Sequence, residues 1–122
     1  MMQMLGRNPA AAYRRVSLEA RIEASSGADL TRICLEEAQA ALGQALIALD
    51  RSQTPPREPL ERAQTIMLWL SRSVAAGHPL EASLKAFYGG LAGQIGANCL
   101  QPDAASLTAI RNDIKDILMA AG

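Results

Sequence analysis

The chain has 122 residues, of which 49% are hydrophobic and only 3% aromatic, and its twelve basic and twelve acidic side chains cancel. That length suits a single domain, 1–122, whose core needs no metal or disulfide, and the charge balance excludes the positive field that nucleic acid or an anionic membrane recruits. A core filled by Leu, Ile, Ala and Met, mostly good helix formers, predicts an all-α fold.

Residues 1–24 read as an N-terminal arm or short capping helix, because Ala10 to Ala24 has helical propensity but sets Tyr13, Val16 and Leu18 on no clean stripe. Ser26 with Asp29 three residues on resembles a shortened capping box. The first long helix is expected from there to Asp50, with Leu30, Ile33, Cys34, Ala38, Leu42, Ala45, Leu46 and Leu49 on its apolar face. Ser52 to Pro59 holds three prolines and is expected to be a loop.

A second helix is predicted from Glu58 or Leu60 to Ala76. Leu60, Ala63, Met67, Leu70 and Val74 climb it in alternating steps of three and four, which lays one apolar stripe along the axis. Gly77, His78 and Pro79 read as its end, with the glycine as C-cap. A third helix follows from Leu80 to Leu100 with Leu84, Phe87, Leu91 and Ile95 inward. Asp103 is the expected N-cap of a fourth, which ends at Ala121 and carries Leu107, Ile110, Ile114, Ile117 and Ala121 at the same three-four spacing. Helices of about 20 residues, each about 30 Å long, with short connections predict an antiparallel up-down-up-down four-helix bundle over 26–122.

Nothing on this scaffold supplies a reagent. The one histidine, His78, sits in a Gly-His-Pro loop and reads as a solvated turn residue, and the inward Glu-x-x-His pairs of a di-metal bundle are missing. Cys34 and Cys99 lack metal-ligand spacing and read as buried free thiols of a reducing compartment. No cofactor is expected, and the chain is not read as an enzyme. Met1 to Arg7 is too short and too polar for a signal peptide, and no apolar run is long enough to cross a bilayer, so a cytoplasmic protein without membrane insertion is expected.

Binding is the remaining class. Gly89, Gly93 and Gly96 recur at helical spacing, although each costs about 1 kcal/mol against alanine inside a helix. They mark either a face where a neighbouring helix of the bundle packs closely or a groove for a partner's helix. Trp69, off the main stripe, reads as boundary core in preference to a binding anchor.

Tyr13 and Val16, the run Ala24, Ser25, Ser26 and Asp29 into Leu30, and the later Leu84, Phe87 and Tyr88 resemble the flagellin-specific export chaperones of the flagellar type III secretion system, the FliS family. The chain departs from that pattern at Gly27, where the family has proline, at Leu35, Glu36 and Glu37 in place of Tyr-Asp-Gly, at Gly90, and at Asn98 and Cys99. The resemblance implies a bacterial flagellum biogenesis chaperone that binds the C-terminal segment of flagellin, prevents its premature polymerisation and delivers it to the export gate protein FlhA, with Tyr13 in the gate-docking segment. The partner-binding residues expected are Tyr13, Val16, Leu30, Leu35, Trp69, Tyr88, Gly89, Gly93 and Gly96, in a monomer or weak homodimer. The alternative is a helical-bundle adaptor or regulator that binds another helical partner such as an anti-sigma factor.

Overall fold

A computed structural model describes residues 27–51 and 56–121. The expected N-terminal arm, with Tyr13, Val16 and the Ser26 cap, lies outside the described residues. Among the described residues the fold is an all-α four-helix bundle: α1 Gly27–Asp50, α2 Arg57–Arg72, α3 Glu81–Leu100 and α4 Ala104–Ala121. The chain divides into two compact units, Met1–Ile33 and Cys34–Gly122, with the boundary inside α1. Within the first, α1 starts at Gly27, whose carbonyl accepts a hydrogen bond from Thr31 Oγ1 at 3.1 Å, and Ile33 is buried.

The second unit holds the core. Its largest fully buried side chains are Leu35 and Leu42 of α1, Leu60 and Met67 of α2, Ile95 of α3, and Leu107, Ile110 and Ile114 of α4. Each such side chain contributes roughly 1.5–3 kcal/mol by leaving water. The alanines Ala38, Ala41, Ala45, Ala63 and Ala92 join the same cluster and keep the helices close. The stripe from Leu60 to Leu70 is buried as its spacing predicts, and Val74 packs against the core from beyond the helix. On α1 the buried arc is wider than the expected face: Leu35 and Ala41 are fully buried, whereas Cys34, Leu46 and Leu49 are only partly so.

Both ends of α2 differ from the sequence expectation. Pro59 does not extend the loop but sits in the first turn, after Pro56 at the N-cap, and the first helical bond runs from the Leu60 amide to the Pro56 carbonyl at 3.3 Å. The first amides of a helix have no intrahelical partner, so a residue without an N–H is harmless there. At the other end α2 stops at Arg72, four residues before Ala76. The Ser73 amide bonds the Leu70 carbonyl at 3.1 Å, three residues back, which tightens the last turn. Gly77 is therefore not the C-cap of α2; it lies in the connection with φ +85, a conformation that glycine adopts without a Cβ clash.

Polar groups fasten the helices at three places. Arg62 on α2 holds both carboxylate oxygens of Glu58 at 3.1 and 3.2 Å, gives another N–H to Gln44 Oε1 at 2.9 Å and sets its Nε 3.6 Å from a carboxylate oxygen of Glu37, so α1 and α2 are tied by a branched charge network. Gln64 Nε2 donates to the Ala92 carbonyl of α3 at 3.3 Å. Asn98, 3% exposed, donates from Nδ2 to the Gln94 carbonyl at 2.9 Å and to Ser106 Oγ at 3.0 Å, while its Oδ1 accepts the Asp103 amide at 2.8 Å. Asp103 then caps α4 as expected, its Oδ1 accepting the Ala105 amide at 3.3 Å.

Candidate partner-binding face of α3

Helix α3 begins from a closed polar turn. His78 Nδ1 accepts the Leu80 amide at 2.9 Å, and the His78 carbonyl accepts the Glu81 amide at 3.0 Å. Glu81 reaches back to accept the Gly77 amide at 3.0 Å and pairs with Lys85 one turn on, also at 3.0 Å. The Gly77 hydrogen bond first, and then Lys85, hold the Glu81 carboxyl below its ordinary range. The single histidine thus shapes the turn that launches α3.

From Ala86 to Pro102 the chain has no Asp, Glu, Lys or Arg. One side of this stretch is buried through Tyr88, Leu91, Ala92, Ile95 and Asn98. Leu84 and Phe87, expected to point inward, are only partly buried: Phe87 lies at the edge of that side, whereas Leu84 continues the ladder 88, 91, 95, 98 by one turn toward the start of α3. The opposite side exposes Ala86, Gly89, Gly90, Gly93, Ala97 and Leu100, the last 90% exposed. At 100° per residue these six positions span about 100° of the helix surface. They form a strip about 20 Å long with small side chains and no charge, ending on a bare leucine.

The glycines separate into two kinds. A Cβ at Gly89, Gly90 or Gly93 would meet nothing within 4 Å among the described residues, so none of the described helices packs on them, and the close-packing account fails there for those helices. At Gly96 a Cβ would stand 2.5 Å from Gln64 Nε2, and here the close-packing account holds: the missing side chain leaves room for Gln64 to reach the Ala92 carbonyl.

The other expected binding residues are scattered by the fold. Leu35 is 1% exposed and Tyr88 5% exposed, both in the central cluster, so neither offers a surface while the bundle is closed. Burial pushes the Tyr88 hydroxyl up, and its ring meets Phe87 edge to face at 5.7 Å. Leu30 is partly buried on α1 in the first unit. Trp69, favoured as boundary core, is 41% exposed beside the equally uncovered Leu68. Cys34 and Cys99 are free and partly buried; burial raises both thiols, aided by Glu37 at Cys34 and by Glu61, against Arg57, at Cys99.

Sequence reasoning passed over Asn98, Gln64 and Arg62. Asn98 had a visible signal, since it continues the 88, 91, 95 ladder and so had to be buried; its partners Asp103 and Ser106 lie beyond the end of α3 and have no periodicity to announce them. Among the described residues no cluster of His, Cys, Asp or Glu could hold a metal ion, and no helix is long and apolar enough to cross a membrane. In comparisons with known proteins, no family model matches the chain and no curated protein matches it.

Proposed function

We propose that this chain is a flagellar secretion chaperone: it binds the C-terminal region of flagellin in the cytosol, prevents premature polymerisation and hands the client to the export gate protein FlhA. The observation that carries the reading is the uncharged outer face of α3, where Gly89, Gly90 and Gly93 stand open. Each glycine weakens its own helix by roughly 1 kcal/mol, and none of the described residues uses the space. A helix laid on that strip would approach the α3 backbone closely and bury apolar surface without leaving any charge unpaired. Terminal segments of flagellin that are disordered before assembly and form amphipathic helices in the filament have the chemistry to fit it. The resemblance at Leu84, Phe87 and Tyr88 falls on the same helix.

Co-purification of the chain with a C-terminal flagellin fragment tests this. A soluble complex is expected, lost when the last helices of the fragment are deleted and weakened at least tenfold by Gly93→Leu, with the helical content of the chain unchanged. No complex even at low salt overturns the reading. Retention of a regulatory helical protein with no flagellin supports the adaptor reading in its place.

A further inference from the structure

We draw no further inference here: the strongest candidate, the exposed apolar pair Leu68 and Trp69 toward the C-terminal end of α2, carries nothing because nothing in the structure shows what covers it.

Discussion

Single residues divide here by whether their surroundings use them. Gly89 and Gly93 leave open space where a Cβ would be, so Gly89→Ala and Gly93→Ala should each stabilise the fold by about 0.5–1 kcal/mol, read as a higher urea midpoint. Gly96→Ala should show no such gain, because the new methyl meets Gln64 and loosens its bond to the Ala92 carbonyl. Equal stabilisation at 93 and 96 would show that Gln64 has an equally good alternative place. Asn98 is the opposite case, a buried amide that bonds the Gln94 carbonyl of α3, the Asp103 amide on the turn and Ser106 of α4. Asn98→Ala strands the Asp103 amide and Ser106 and should cost about 2–3 kcal/mol; a loss below about 1 kcal/mol would mean that water restores those bonds.

At the scale of elements, the starts of α3 and α4 depend on carboxylates in different ways. Asp103→Ala removes a cap whose hydrogen bond is long at 3.3 Å, and a loss of about 0.5–1 kcal/mol in a denaturant melt is expected. Glu81 has its carboxyl lowered by the Gly77 amide and Lys85. A carboxyl lowered in the folded state contributes stability above its unfolded value and loses it as pH falls through the folded value. Thermal melts of the parent and Glu81→Gln should therefore differ most near neutrality and converge as acid protonates the glutamate. A constant gap across that acidic range would show that the Gly77 contact does not depend on charge.

The helices themselves were legible because Leu60, Ala63, Met67 and Leu70, and Leu107, Ile110 and Ile114, repeat at the period of an α-helix and are fully or almost fully buried. The stop of α2 was not. Ser73 to Ala76 are compatible with a helix, and the choice to leave it is made by the Ser73 amide turning to Leu70. The wide buried arc of α1 was legible only in part, since Leu35 and Ala41 fall off a single stripe and are covered only when other helices flank α1. The same limit applied to the glycines of α3: their spacing marks a smooth face, but whether a helix of this chain covers it is decided by the assembled bundle.

For the whole molecule, the Arg62 network and the two thiols report how firmly the bundle is closed. Arg62→Met keeps the apolar stem but leaves Glu37, whose side chain is 15% exposed, and Gln44 without their partner. A loss of about 1–2 kcal/mol is expected, larger than an exposed ion pair gives, because these groups are partly withdrawn from water. Both cysteines should react slowly with a thiol reagent at neutral pH, since burial disfavours their thiolates. Cys99 should be the faster of the two, being less deeply buried than Cys34, and urea should bring the two rates together. Faster labelling of Cys34 in the native state would show local opening of α1.

The exposure of Trp69 also gives the molecule an optical handle. It is the one tryptophan in the chain, and at 41% exposed it already meets water in the folded protein. Its fluorescence should therefore change little in colour when the bundle unfolds, so a denaturation curve followed by emission would understate a transition that circular dichroism records in full. Coverage of that end of α2 by another molecule would shift the emission toward shorter wavelength. The native chain thus carries a label that is nearly blind to folding and sensitive to docking.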